Sequence, residues 1–242
     1  MIKLAGHRGL PAQYPENSLI GIQAAIDGGA EGIECDVQLS RDGTPFILHD
    51  PDLARVAGLD LSISSLCDDA LRTVKLHERQ RFGERFLATP LSPLSDLVPI
   101  MQAHPDILFF VEIKSEIFAH VSRDFTMGAI HACLAAVQNQ VVIISFDEEL
   151  VRVARDNYGY RVGWVLSAYS AMSRRTAKQL QPDFLLCHDQ KIGPQSLWPG
   201  PWLWFLYDIV DADVARELFA RGATWLESWD VASLYQQLRV GV

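Results

Sequence analysis

Gly32-Ile33-Glu34-Cys35-Asp36-Val37 decides how this chain is read. It is an apolar run of strand length, broken twice by acids two residues apart. Side chains alternate faces along a strand, so Glu34 and Asp36 share one face while Ile33, Cys35 and Val37 share the other. Two carboxylates on one face repel each other unless something cationic lies between them. A divalent ion meets that need, and hard oxygen ligands suit Mg²⁺ or Ca²⁺ better than zinc. The alternative is a carboxylate pair bridged by Arg or Lys.

Working outward, other apolar segments also end in charge. His7-Arg8-Gly9 follows the opening apolar run, and His49-Asp50 follows Phe46–Leu48. Leu108-Phe109-Phe110-Val111-Glu112-Ile113-Lys114 is a buried strand whose last inward positions turn charged. Charged side chains at the C-terminal end of a barrel strand read as site residues. Glu112 would complete a three-carboxylate metal site with Glu34 and Asp36, and Lys114 would reach a phosphate oxygen. The alternative is a structural Glu–Lys pair inside the barrel. His7 and His49 can each give or take a proton near neutral pH. A phosphodiester needs a base for the attacking oxygen and an acid for the departing alkoxide, and two imidazoles fill both roles. Arg8 offers a planar fork for phosphate oxygens. Gly9 is expected to relieve crowding where the backbone meets the ligand. In Pro15-Glu16-Asn17-Ser18, Asn17 or Ser18 suits a helix N-cap. Glu16 either orients Arg8 or favours the helix dipole, and Asp50 either supports His49 or is a plain loop acid.

The rest of the chain sets this equipment in a repeating frame. Strands are expected at 2–5, 32–37, 46–48, 108–113, 141–144, 161–165, 184–186, 202–206 and 224–226. Helices are expected at 18–28, 69–73, 94–102, 126–138, 148–157, 171–181, 212–220 and 231–239. One β/α pair every twenty to thirty residues predicts a parallel sheet covered by helices. Eight units fit if 46–48 extends the second strand. The expected fold is a (β/α)8 TIM barrel with a small insertion after the second strand, as one domain over 1–242. A doubly wound sheet is the runner-up, but no Gly-x-Gly-x-x-Gly turn marks a nucleotide crevice. Residues 51–93 break the rhythm and read as an insertion rising over the active-site end. Trp204, in a late strand, either walls the pocket and touches substrate or fills the barrel.

Composition narrows the classes. The 242 residues are 49% apolar, enough for a sizeable core, and the net charge of −9 argues against a nucleic-acid partner. Cys35, Cys67, Cys133 and Cys187 form no Cys-x-x-Cys pair, which fits a reducing cytosol. The apolar runs are too short to span a bilayer, so a cytoplasmic protein without stable membrane insertion is expected. No Gly-x-Ser-x-Gly elbow supports a serine hydrolase.

Together these segments resemble the glycerophosphodiester phosphodiesterase family. The resemblance rests on His7-Arg8-Gly9, Pro15-Glu16-Asn17-Ser18, the Gly29–Val37 run, Asp42-Gly43, His49-Asp50 and Val111-Glu112-Ile113-Lys114. It implies a TIM barrel with an insertion after the second strand and a divalent metal on Glu34, Asp36 and Glu112. It also implies acid–base work by His7 and His49, with Arg8 and Lys114 on the phosphate. The implied reaction is hydrolysis of a small-molecule glycerophosphodiester to an alcohol and glycerol 3-phosphate. The C-terminal third departs from the family pattern. Its Trp-Thr-Val-Asn run is replaced by Trp204-Phe205-Leu206-Tyr207-Asp208 here, with Tyr207 in place of the Asn, and its closing Thr-Asp is Glu227-Ser228. Two other readings stay open: a phospholipase D-like lipid phosphodiesterase, and a catalytically silent barrel that binds a phosphorylated metabolite.

Overall fold

In the computed structural model, which describes residues 2–240, the apolar runs become strands. The first five are β1 (Lys3–Gly6), β2 (Gly32–Leu39), β3 (Pro45–Ile47), β4 (Asp52–Leu53) and β5 (Leu59–Ser62). The others are β6 (Leu108–Ile113), β7 (Val141–Ser145), β8 (Arg161–Val165), β9 (Phe184–His188), β10 (Leu203–Tyr207) and β11 (Trp225–Ser228). Helices α1 (Leu19–Asp27), α2 (Ala54–Ala57), α3 (Asp68–Leu71), α4 (Arg79–Phe82) and α5 (Val98–Ala103) lie in the first half. They are followed by α6 (Arg123–Leu134), α7 (Glu148–Asp156), α8 (Ala171–Leu180), α9 (Asp189–Ile192), α10 (Ala212–Ala220) and α11 (Val231–Val240).

β1, β2 and β6 to β11 run parallel, and β1 pairs with both β11 and β2, which closes the ring. This is the expected (β/α)8 barrel. Local chemistry sets where helices begin. Ser18 has an extended backbone and its hydroxyl accepts from the Gly21 amide, so α1 starts there. Asp147 and Asp211 cap α7 and α10 in the same way.

Period-two alternation divides the core. Outward residues such as Ile33, Cys35 and Val37 pack under the helices in the main cluster. Inward residues fill the barrel: Ala5, Phe110, Val142, Val165, Phe184, Phe205 and Trp225 form a plug. The Phe110 ring sits 4.7 Å from Phe205 and 5.2 Å from Trp225. Gly32 makes room for that plug, because a Cβ there would lie 2.6 Å from the Trp225 ring. With the barrel filled to this depth, a ligand can enter only above it.

The chain after β2 departs from expectation in two ways. The 46–48 segment does not extend β2; β3 turns back antiparallel to it, pairing Val37 with Ile47. The reversal is made at Asp42-Gly43, where Gly43 takes φ +85°. The insertion also holds more order than one helix. It contains α2, α3, α4 and the β4–β5 hairpin around its own apolar cluster of Leu53, Val56, Ile63, Leu71, Val74, Leu76 and Leu91, joined to Phe46 and Leu48. Elements this short have no stable form alone. Their order comes from tertiary burial, which a weakly periodic sequence does not announce.

Candidate active site

A cavity of about 210 Å³ opens above the plug. Its walls follow directly from strand alternation. β1 leads into His7 and Arg8, β2 presents Glu34, β6 presents Glu112 and leads into Lys114, and β11 presents Glu227. The remaining wall is His49 after β3, Ile144, Phe146, Val165, Leu186 and Tyr207 along β7 to β10, and Asp208 just beyond β10.

The charged side is a connected network. Lys114 Nζ lies 2.6 Å from Asp36 Oδ1 and 2.8 Å from Glu112 Oε1. Arg8 Nε stands 3.1 Å from Asp36 Oδ2, and the Asn17 amide donates to that oxygen at 2.8 Å. The Arg8 backbone N–H donates to Glu34 Oε2 at 3.0 Å. Arg8 takes φ +57° and Asn17 takes φ +55°, so this loop holds a strained shape that aims both side chains at Asp36. Arg8 is therefore the base that links Glu34 to Asp36, through its backbone N–H and its Nε, while Lys114 makes the Glu–Lys pair with Glu112 and extends it to Asp36. Glu34 Oε1 remains buried without any hydrogen-bond partner.

The titration of these groups follows from that imbalance. Burial would raise the Asp36 carboxyl, but Lys114 and Arg8 outweigh burial and hold it well below the usual range. Burial first, then the Asp36 charge, pushes Glu34 well above that range, and the same two causes raise Glu112. Oxygens of Glu34, Asp36 and Glu112 lie within 4.8 Å of one another. Three buried carboxylates, one with an orphaned oxygen and two reluctant to ionise, fit a hard divalent cation.

Each histidine has a carboxylate at Nδ1. His49 Nδ1 contacts Asp50 Oδ1 at 2.6 Å, and Asp50 Oδ2 accepts from Arg55 Nε at 2.7 Å. His7 Nδ1 lies 3.0 Å from Asp208 Oδ1 and 4.0 Å from Glu227 Oε2; its contact with Asp208 is an ion-pair approach rather than a straight hydrogen bond. Burial alone would depress the His7 pKa, but Glu227 and Asp208 together raise it. Both carboxylates sit on the Nδ1 side of their ring, and His7 Nε2 lies 4.0 Å from Glu34 Oε2.

Of the expected site residues, His7, Arg8, Glu34, His49, Glu112 and Lys114 line this cavity, and Asp36 lies buried against Arg8 and Lys114. Trp204 does not line it. Alternation on β10 turns Phe205 and Tyr207 inward and Trp204 outward, where its indole donates to the Trp198 carbonyl in the outer core. Tyr207 takes the wall position expected of Trp204. Gly9, at φ +88°, is needed for a different reason from the one anticipated. A Cβ there would lie 2.7 Å from the Gly21 backbone, so the crowding is with α1.

Glu16 proves to be a hub. It accepts from Arg8 at 3.1 Å and takes two parallel bonds from Arg55 at 2.7 Å. Its own amide donates to Glu78, a buried insertion residue that also holds Arg81. Arg55 was missed because it lies in the weakly periodic insertion and carries no strand-end signal. Asp208, at φ +67°, and Glu227 were visible only as departures from a family pattern.

Residues 7–196 match the sequence profile described as the Glycerophosphoryl diester phosphodiesterase family. The chain belongs to this family. Among curated relatives, a glycerophosphodiester phosphodiesterase of Bacillus altitudinis is 28% identical over 120 residues, covering 50% of this chain and 48% of that protein. One of Caldanaerobacter subterraneus is 25% identical over 176 residues, covering 73% and 61%. The chain thus spans about half the length of several curated relatives it matches. Among solved structures, an Oleispira antarctica phosphodiesterase in complex with the product sn-glycerol-3-phosphate superposes with TM-score 0.85 at 20% identity, covering 98% of this chain and 96% of that one. A putative glycerophosphoryl diester phosphodiesterase of Silicibacter pomeroyi gives 0.84 at 16%, covering 100% and 94%. Both solved structures share the whole barrel with this chain, although the profile itself stops at residue 196.

Proposed function

We propose that this barrel hydrolyses glycerophosphodiesters to an alcohol and glycerol 3-phosphate, using a divalent metal and two histidines. The observation that carries the reading is the convergence of Glu34, Asp36 and Glu112 with His7, His49, Arg8 and Lys114 at one barrel mouth. Glu34, Asp36 and Glu112 would hold Mg²⁺ or Ca²⁺. When bound, such an ion supplies Lewis-acid stabilisation of charge on phosphate oxygens.

The chain's own residues do the rest. Arg8 and Lys114 neutralise and orient the phosphate. One imidazole takes a proton from the attacking water at Nε2 as the new P–O bond forms. The other gives a proton to the departing alkoxide as the old P–O bond breaks. Asp50 and Asp208, at the two Nδ1 atoms, favour the tautomer that leaves Nε2 free for this exchange. Cys35, Cys67, Cys133 and Cys187 are unpaired, which supports placing the protein in the reducing cytoplasm. Among the described residues no helix is long and apolar enough to cross a membrane.

The direct test is turnover of glycerophosphocholine, glycerophosphoethanolamine and glycerophosphoglycerol with Mg²⁺ or Ca²⁺, before and after EDTA. Turnover that EDTA abolishes and added ion restores is expected. Full activity in the metal-stripped protein would remove the metal assignment, and no turnover of any diester with ion present would remove the activity itself.

A further inference from the structure

Glu227 is a buried mouth carboxylate outside the metal cluster; His7 Nδ1 approaches its Oε2 at 4.0 Å, and its other oxygen is unaccounted for. It lies outside the Glu34–Asp36–Glu112 group, and its Oε1 has no hydrogen-bond partner although the residue is only 3% exposed. Its place is set firmly. Glu227 pairs with Ala5 in the β1–β11 register, and its carbonyl accepts from the Ile209 amide just beyond Asp208. Asp208 brings a second carboxylate to the same side, held there in a left-handed backbone conformation.

The charges of the mouth do not balance. Among the groups that meet in the cavity, Glu34, Asp36, Glu112, Asp208 and Glu227 face two fixed cations, Arg8 and Lys114; behind them His188 Nε2 lies 3.4 Å from Asp208 and Lys191 sits 6.0 Å over the Phe146 ring. A divalent ion leaves one net negative charge, and a bound phosphodiester makes it two. Acid–base catalysis needs one imidazole neutral and one charged, so His7 and His49 return one positive charge, and one negative charge remains whenever Glu227 is ionised. The layer behind, Glu16 and Asp50 against Arg55, adds to the deficit. A buried carboxylate without a counter-charge is costly. Burial lifts the Glu227 pKa to about 7, with His7 and Arg8 opposing the rise and Asp208 and Glu112 adding to it. Phe146 and Tyr207 line the same cavity, and aromatic faces attract alkylammonium groups.

We propose that Glu227, with Asp208 beside it and the rings of Phe146 and Tyr207 in the same cavity, receives a cationic amino-alcohol headgroup. Ethanolamine and choline diesters of glycerol phosphate are then the preferred substrate class of this site. The inference rests on the phosphodiesterase reading above.

The metal-loaded protein is assayed on glycerophosphoethanolamine, glycerophosphocholine and the neutral-headed glycerophosphoglycerol. Wild type is expected to favour the cationic pair by about tenfold in kcat/KM. Glu227→Gln is expected to collapse that ratio toward one, and Asp208→Asn to reduce it. Equal kcat/KM on all three in wild type overturns the inference while leaving the phosphodiesterase reading intact; no turnover of any diester overturns both. A uniform loss on all three in Glu227→Gln also overturns it, because the carboxylate would then serve the shared glycerol or His7. So does a shifted ion-activation curve in Glu227→Gln, which marks a second metal cation as the occupant. If Glu227→Gln does not fold, choline as an inhibitor of wild type and of Asp208→Asn decides. Competitive inhibition that weakens in the variant supports the site, and no inhibition of wild type overturns it.

Discussion

The two halves of the barrel mouth obey one alternation rule and behave differently. On the β1, β2, β6 and β11 side, inward positions above the plug are His7, Glu34, Asp36, Glu112, Lys114 and Glu227. On the β7 to β10 side they are Ile144, Phe146, Leu186 and Tyr207 over Val165 of the plug, with the one carboxylate of Asp208 at the end of β10. In the charged half nearly every group is held by a named partner, because a buried charge without one is costly. In the apolar half a side chain needs only to fill space, and Phe146 is left 39% exposed. Precision of placement is therefore concentrated in one half, and the other offers shape.

The largest effect that would break this contrast is at the imidazoles. Replacing His7 or His49 with Ala is expected to lower kcat by about 10²–10⁴-fold if each carries a proton. Steady-state rates with saturating ion check it, and a loss under tenfold removes the role. Next comes Arg55, which reaches from the insertion to Glu16 and Asp50. Arg55→Ala is expected to cost roughly tenfold in kcat with little change in KM, since it acts through His49 and Arg8. Arg55→Lys should rescue little of this, because lysine cannot make the paired bonds to Glu16. Full rescue by lysine would reduce Arg55 to a simple countercharge.

The charged half should also make stability depend on pH and on ion. Glu34, Glu112 and Glu227 hold protons more tightly folded than unfolded. Each contributes stability that is complete below the usual carboxylate range and lost as pH rises through the folded value, about 7 for Glu227. Asp36, Asp50, Asp208 and Glu16 are shifted down, so their contribution is lost only in stronger acid. The ion-free protein is therefore expected to lose a few degrees of Tm between about pH 5 and about pH 8. Saturating Mg²⁺ or Ca²⁺ should flatten that slope and raise Tm at the alkaline end. Calorimetry across pH decides, and a Tm that rises with pH in the ion-free protein would contradict the assignment. The smallest effect belongs to the apolar half. Phe146→Ala should leave kcat unchanged and raise KM a few-fold, with stability within about 0.5 kcal/mol. A large fall in kcat there would erase the contrast.

Legibility followed the same division. Glu34 and Asp36 could be placed on one face from spacing alone, and Glu112 and Lys114 likewise, because the strand period is local. Nearly all barrel strands and major helices fell where periodicity put them. The same period along β10 turns Trp204 outward and Tyr207 inward, but it fixes which face only once one inward position of that strand is known. The insertion was less readable. Its elements are four residues or fewer, and its small core is assembled from positions between Phe46 and Leu91.

What the amino-acid order determined by itself was the barrel, the inward row of carboxylates and the two histidines, since each depends on periods of two or 3.6 residues. Only the tertiary structure decided which charges meet. It brought Lys114 to Asp36, Asp208 to His7, and Arg55 to Glu16 and Asp50. It also left Glu34 and Glu227 each with an oxygen that nothing satisfies. Those pairings depend on ring closure, which makes neighbours of β1 and β11 across more than two hundred residues of chain. No local period carries that information.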